Sequence, residues 1–188
     1  MKQTELIKQL SDAELKKQLF LSQGIFLLIS IGLSFFLFDS FSNWILYFNW
    51  NFHELLMYGV VVGLIIVIID IFIMWVFPKK YVDDGGINER IFQNQSIPFI
   101  FILSLVVAIS EELLFRGVIQ TEFGYFIAST VFALVHFRYL KKPVLFISVV
   151  GISFWIGYLF EITGNLLVTI TTHFIVDFLL GLVIRFKK

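Results

Sequence analysis

Hydrophobic residues in this chain occur in six long runs that are separated by shorter polar stretches. Each run is close to the roughly 20 residues that an α-helix needs to cross the hydrocarbon core of a bilayer. The pattern therefore predicts an all-α fold, a polytopic membrane bundle of about six transmembrane helices. The six predicted segments lie at about 19–38, 55–77, 97–120, 123–139, 144–160 and 165–186.

The polar leader at residues 1–18 precedes the first apolar run. It carries four lysines and a capping-box pattern at Ser11–Glu14, which is typical of a helix start. No small-residue cleavage site follows the run, which favours an uncleaved span. We predict a cytoplasmic amphipathic segment over residues 1–18 and one membrane domain over residues 19–188.

The amino-acid composition agrees with a membrane environment and argues against several classes of function. The 188 residues are 59% hydrophobic, and the mean hydropathy of +0.91 is too high for a soluble domain. The lipid bilayer is therefore the expected surrounding. The absence of cysteine excludes disulfides and a thiolate nucleophile. The net charge of zero gives no reason to expect a nucleic acid partner.

The cations follow an asymmetric distribution along the chain. Of the fourteen Lys and Arg residues, all except Arg116 fall in the leader, the second and fourth loops and the tail. These stretches lie on one side of a six-span bundle, and the positive-inside rule makes that side cytoplasmic. We therefore predict a multi-pass protein of the cell membrane with both termini in the cytoplasm.

Three charged residues interrupt the third apolar run at Glu111, Glu112 and Arg116. A charge at the centre of a bilayer costs on the order of 2.5–3.5 kcal/mol even on the mildest scales, so such residues are normally paired or functional. On a helix, Glu112 and Arg116 are one turn apart and can form an ion pair. Glu111 points roughly 100° away and has no such partner, which makes it the first candidate for a functional carboxylate.

Two further spans carry histidine residues. His136 ends the fourth run, and His173 and Asp177 share one face of the sixth run at an i, i+4 spacing. We expect these groups to converge with Glu111, Glu112 and Arg116 on one pocket. The structural alternative is that they only hold helices together through hydrogen bonds.

A carboxylate next to a His in a pocket with little water can activate a water molecule as a nucleophile. Glu, two His and Asp are also an acceptable oxygen and nitrogen ligand set for zinc. The sequence has no H-E-x-x-H and no G-x-S-x-G motif. Hydrolysis by a glutamate-activated water, with or without a metal, is the prediction that remains.

The three motifs together resemble the intramembrane CAAX-processing and bacteriocin-processing protease family, also called CPBP or Abi. They are E-E-L-L-F-R at Glu111–Arg116, F-A-L-V-H ending at His136, and H-F-I-V-D at His173–Asp177. The resemblance covers about residues 83–188. It implies endopeptidase action on a membrane-associated or lipid-anchored peptide, in peptide or bacteriocin processing or in self-immunity.

The resemblance also implies roles for individual residues. Glu111 matches the glutamate that activates water with help from His136, while Glu112 and Arg116 match its supporting partners. His173 and Asp177 match the pair that faces the scissile carbonyl. An ionised Asp accepts hydrogen bonds only, so Asp177 must be protonated, orient His173 or bind a metal. Members are often described as metalloproteases with a divalent ion such as zinc. The ligands of such an ion here would be Glu111, His136, His173 and Asp177. A metal-free glutamate mechanism is the alternative.

Two other functions compete with proteolysis. The first is a bacteriocin-immunity membrane protein that acts by binding, and the second is a proton-coupled transporter, since buried Glu and His also form proton relays. The predicted spans contain one conflict. They place Glu111 about 20 Å along the third helix from its cytoplasmic end, whereas His136 lies near the cytoplasmic end of the fourth.

Overall fold

The computed structural model describes residues 9–140 and 142–187, and the predicted all-α architecture is confirmed. Six helices form the bundle, and short helical turns occupy most of the loops. The helices are α1 (Asp12–Leu37), α2 (Phe52–Val76), α3 (Ile97–Phe123), α4 (Tyr125–Val135), α5 (Pro143–Thr163) and α6 (Leu166–Phe186). All except α4 are long and apolar enough to cross a membrane.

Helix α4 is shorter than the full span that the sequence predicted at about residues 123–139. Its 11 residues are about 16 Å long, roughly half of the hydrocarbon thickness. The helix starts after Gly124, whose φ of 87° turns the chain back from α3. It ends where His136 leaves helical geometry, and the turn Phe137–Tyr139 follows. The sequence had placed His136 and Glu111 at different depths in the bundle. Because α4 is short, it ends beside the middle of α3, and His136 lies near Glu111.

Helix α1 begins earlier than predicted, at Asp12 rather than at residue 19. The predicted capping box is confirmed: the Ser11 hydroxyl accepts from the backbone N–H of Glu14, and the Glu14 carboxylate accepts from the backbone N–H of Ser11. The second half of the predicted leader is thus the first part of the span. Residues 1–8 of that leader lie outside the described residues.

Helix α6 packs against α2, α3 and α5 and forms the centre of the bundle. Small residues bring α2 close to it. A Cβ atom added to Gly63 would lie 3.0 Å from the Cβ of Ile175, and one added to Gly59 would lie 3.1 Å from the Cβ of Thr171. Since lipid gives helices no hydrophobic reason to associate, this close backbone packing is what joins α2 to α6.

Loop cations come together at one end of the bundle, hereafter the charged end. There Lys16 donates to Gln95 (2.9 Å), Arg90 pairs with Asp12 (2.9 Å), and Arg138 donates to Asn88 (3.1 Å). The loops between α2 and α3 and between α4 and α5 therefore lie on the same side, as the charge pattern predicts. That this side is the cytoplasm stays a prediction.

The opposite end is closed by the loop between α1 and α2. Its backbone joins the start of α6, where the N–H of Leu166 donates to the carbonyl of Tyr47 (2.8 Å). The Asn165 side chain donates to the carbonyl of Asn49 (2.7 Å). Trp44 of this loop packs directly on Gly117 of α3. The bundle interior is thus covered at this end by aromatic residues.

Candidate active site

The two adjacent glutamates lie where α3 changes its winding. The helix is α-helical as far as Glu112 and widens into a π-helical stretch over Leu113–Gln120. Such wide turns in helices occur frequently at functional sites. Most side chains of this stretch are buried, including Arg116. The charges predicted from the third apolar run therefore lie inside the bundle and not against lipid.

Glu112 is the centre of a buried ion cluster. Its Oε1 lies 2.9 Å from Nδ1 of His173, and its Oε2 lies 3.3 Å from Nε of Arg116. The Arg116 guanidinium also donates to the carbonyl of Ser153 in α5 (3.1 Å) and lies 4.9 Å from the ring centre of Phe132 in α4. The predicted pairing of Glu112 with Arg116 is present, and it connects α3 to α4, α5 and α6.

Glu111 has a different set of neighbours. Its Oε1 lies 3.4 Å from Nε2 of Gln23 in α1, and its Oε2 has no hydrogen-bond partner within the part of the chain that the structure describes. The carboxylate is 6% exposed. The charged groups that act on it are His136, His173, Asp177 and Glu112. The residues expected to converge are thus close to one another, and Glu111 lies among them with one oxygen free.

His136 is held by the backbone at the end of α4. Its Nδ1 lies 2.8 Å from the carbonyl oxygen of Phe132. Because a carbonyl only accepts, Nδ1 carries the proton, and Nε2 of the neutral ring is left as an acceptor. The Phe132 ring packs against His136 (4.8 Å between centres) and His173 (5.9 Å). Phe132 therefore separates and orients the two imidazoles.

His173 is fixed through both ring nitrogens. Nδ1 contacts Glu112, and Nε2 lies 3.5 Å from Oδ2 of Asp177. Of the three roles predicted for Asp177, this contact corresponds to orienting His173. The Asp177 side chain is 33% exposed, whereas His173 and Glu112 are almost completely buried. The site therefore opens past Asp177, towards the charged end of the bundle.

The arrangement does not fit the metal set that the resemblance suggested. Within residues 9–140 and 142–187, no three His, Asp or Glu side chains form a group that could hold a metal ion. The reason lies in His173, because both of its ring nitrogens face carboxylates and neither is left for a metal. Zinc needs free nitrogen or oxygen lone pairs that point to one centre. We therefore route no chemical step through a metal.

Two residues near Glu111 were missed by the sequence analysis. Gln23 is 5% exposed in α1, and its Oε1 accepts from the hydroxyl of Ser110 (2.6 Å). Ser110 directly precedes Glu111 and is fully buried. The sequence did contain a signal for Gln23, because an amide side chain within an apolar span is energetically unfavourable unless it has a hydrogen-bond partner. The sequence, however, does not say which helix that partner is on.

Comparisons with known proteins identify the family of the chain. The sequence model of the Rce1-like family, type II CAAX prenyl endopeptidases, matches residues 93–179, which include all six candidate residues. The Bacillus subtilis (strain 168) protein called "Uncharacterized protein YpbD" is 48% identical over 134 residues, 71% of each chain. No solved structure gives a significant match. With all three motifs inside the matched region, this chain belongs to the Rce1-like type II CAAX prenyl endopeptidase family of intramembrane proteases.

Proposed function

We propose that the protein is an intramembrane endopeptidase in which Glu111 activates the water that hydrolyses a peptide bond of a membrane-associated or lipid-anchored peptide. One contrast supports this proposal. Both oxygens of Glu112 face a cationic partner, Oε1 at 2.9 Å from Nδ1 of His173 and Oε2 at 3.3 Å from Nε of Arg116. Among the described residues, Oε2 of the neighbouring Glu111 has neither an ion pair nor a hydrogen bond. A buried carboxylate with a free oxygen next to an imidazole is equipped to take a proton from water.

In the first step, a water molecule lies between Oε2 of Glu111 and Nε2 of His136. The water transfers a proton to Glu111 while its oxygen bonds to the scissile carbonyl carbon. The carbonyl π electrons move to oxygen and form the oxyanion of a tetrahedral intermediate. His136 orients the water through its unprotonated Nε2, an arrangement that its bond to the Phe132 carbonyl maintains.

In the second step, His173 stabilises the oxyanion. Its contact with Asp177 is long, at 3.5 Å, and lies on the half-open side of the site. The N–H at Nε2 can therefore be shared between Asp177 and a substrate oxygen placed beside it, while Glu112 holds Nδ1 and the ring in place. The intermediate then collapses, the C–N bond breaks, and the proton on Glu111 passes to the leaving nitrogen. The products are a carboxylic acid and an amine, and Glu111 is ionised again.

The first experiment is peptide cleavage by the purified full chain in detergent micelles. The substrates are a fluorogenic library of membrane peptides with and without a C-terminal lipid. We expect Glu111→Gln to lower kcat by at least about 10³-fold, since it removes the proton acceptor but keeps the size of the side chain. The matched control is Glu122→Gln, which changes an exposed glutamate at the end of the same helix. Cleavage at the wild-type rate by Glu111→Gln would refute the mechanism.

The same assay tests for a metal requirement. Because both nitrogens of His173 face carboxylates, we expect a chelator that removes zinc to change the rate less than about twofold. Loss of cleavage on chelation, restored by added zinc, would instead support a metalloprotease.

Full protection in a bacteriocin-immunity assay by Glu111→Gln would favour the non-catalytic binding function.

A further inference from the structure

We infer that Gln23 in α1 is a positioning residue for Glu111, and that Ser110 supports the orientation of the Gln23 amide. This inference rests on the proposed role of Glu111 as the proton acceptor. Gln23 lies outside residues 93–179, the region that the family model matches. It is nevertheless a polar group in direct contact with Glu111, and its 5% exposure means that the contact is shielded from lipid and solvent.

The orientation of the amide follows from the donors and acceptors around it. The Ser110 hydroxyl lies 2.6 Å from Oε1 of Gln23 and can donate to it. This turns the NH₂ group of Gln23 towards Oε1 of Glu111, at 3.4 Å. The opposite orientation would place the amide oxygen against an ionised carboxylate, and two acceptors repel each other. Serine and glutamate together therefore select one amide orientation.

The proton of Ser110 has a second possible acceptor. Its Oγ also lies 2.7 Å from the carbonyl of Val106, one turn earlier in α3. One hydroxyl proton cannot serve both acceptors fully, so the bond to Gln23 competes with a bond back to the helix. Because the other orientation of the amide is unfavourable, Gln23 keeps its NH₂ group on Glu111 even when the proton is shared. Ser110 is thus the weaker contributor and Gln23 the stronger one.

The contact with the Gln23 amide gives the two oxygens of Glu111 different roles. Oε1 is occupied by Gln23, so that water approach and proton uptake are directed to Oε2. The 3.4 Å distance is longer than an ordinary N–H···O bond, and catalytic hydrogen bonds are commonly long before substrate binds and tighten afterwards. The titratable and charged groups that interact with Glu111 are Glu112 and Arg116 on its own helix, His136 at the end of α4, and His173 and Asp177 on α6.

The competing explanation is that Gln23 only joins α1 to α3. A joining role alters the stability of the folded protein but leaves kcat of the folded fraction unchanged. A positioning role lowers kcat with little change in KM, because the lost contact matters most when Glu111 takes up the proton. Separate values of kcat, KM and the melting temperature therefore distinguish the two roles.

The test uses the full chain with Gln23→Met, Ser110→Ala and the double variant in the peptide-cleavage assay. Methionine keeps the length of glutamine and removes its hydrogen bonds. We expect Gln23→Met to lower kcat about 10- to 100-fold with KM within about twofold, because misplacement of a catalytic group has effects of this size. Ser110→Ala should lower kcat about 3- to 10-fold, since it loosens the amide without removing it. Gln23→Asn, which retains an amide, should fall between wild type and Gln23→Met.

The double variant should be no slower than Gln23→Met alone, because Ser110 acts through Gln23. The matched control is Gln18→Met, an exposed glutamine on the same helix, which should leave kcat unchanged. A wild-type kcat in Gln23→Met, with Glu111→Gln inactive, overturns this inference and leaves the proposed function intact. Cleavage by Glu111→Gln overturns the proposed function itself. If Gln23→Met does not fold, Gln23→Asn decides, and a wild-type kcat in that variant overturns the inference.

Discussion

The Nδ1 atom of His173 lies 2.9 Å from Oε1 of Glu112, and this contact joins α6 to α3 in the interior of the bundle. The Glu112 side chain is fully buried, and its other oxygen faces the equally buried Arg116. A buried charge is tolerated only with a partner, so each member of this cluster depends on the others. Within residues 9–140 and 142–187, the neighbouring Glu111 makes no ion pair of this kind, which distinguishes a supporting glutamate from the proposed catalytic one.

This contrast predicts opposite effects of two neighbouring substitutions on stability. Glu112→Ala leaves Arg116 and His173 without their carboxylate, and we expect it to destabilise the protein by about 3–5 kcal/mol. Glu111→Gln removes a buried charge that has one oxygen unpartnered, so we expect its melting temperature to equal or exceed that of wild type. Thermal unfolding in detergent, followed by tryptophan fluorescence, measures both. Equal destabilisation by the two changes would show that Glu111 also has a structural ion-pair role.

The contact between His173 and Asp177 predicts which change at Asp177 is tolerated. Asparagine keeps an oxygen that accepts from Nε2 of His173, so we expect Asp177→Asn to retain kcat/KM within about tenfold. Alanine removes the acceptor, and loss of an orienting partner typically costs about 10- to 100-fold. Both variants are compared with wild type in the peptide-cleavage assay. If Asp177→Asn is as inactive as Asp177→Ala, the negative charge is needed and an orienting role alone is insufficient.

The contact of Trp44 with Gly117 predicts a steric effect next to Arg116. A Cβ atom at Gly117 would lie 2.6 Å from Cζ3 of Trp44, a rigid indole that cannot yield by a simple rotation. We expect Gly117→Ala to destabilise the protein by about 1–3 kcal/mol through overpacking. Adding Trp44→Leu should make room for the new methyl group.

The measurement is the melting temperature of the two single variants and the double variant. If the two residues are in contact as described, the double variant loses less stability than the sum of the single variants. Strictly additive losses would contradict the packing of this loop on α3.

Asp84, in the loop between α2 and α3, predicts a pH-dependent stability. Burial raises the pKa of its carboxyl above the ordinary value, although nearby Arg138 opposes the effect. The folded protein therefore binds this proton more tightly than the unfolded chain does. The contribution to stability is complete below the unfolded pKa and is lost as pH rises through the higher folded pKa.

We expect Asp84→Asn to remove this loss. The Asn oxygen can still accept from the backbone N–H of Ile87, which Oδ1 of Asp84 does at 3.1 Å. The variant should therefore gain in melting temperature relative to wild type at pH 7, and the gain should shrink towards pH 4. Melting temperatures of both proteins at the two pH values test this. A difference that grows towards acid would mean that the ionised Asp84 is stabilised in the fold.

The position and type of most helices were available from the sequence, because lipid requires long apolar helices with internally satisfied backbones. The failure concerns α4. Its apolar run continues past His136, so hydropathy alone predicts a full span over residues 123–139. The chain leaves the helix there, and Nδ1 of His136 bonds to the Phe132 carbonyl, the acceptor that the backbone N–H of His136 would use in a continuous helix. This ending is a local hydrogen-bond event that a hydropathy pattern cannot show.

For the site, the sequence by itself determined which ionisable residues enter the membrane and which of them share a helix face. Glu112 with Arg116, and His173 with Asp177, follow from the helical repeat. Only the tertiary structure decided that Glu112 holds His173, that Glu111 keeps a free oxygen, and that Gln23 of α1 contacts it. These contacts join residues 61 to 88 positions apart. The helical repeat fixes the direction of a side chain around its own helix axis, but the helix that lies opposite is set by packing of the whole bundle.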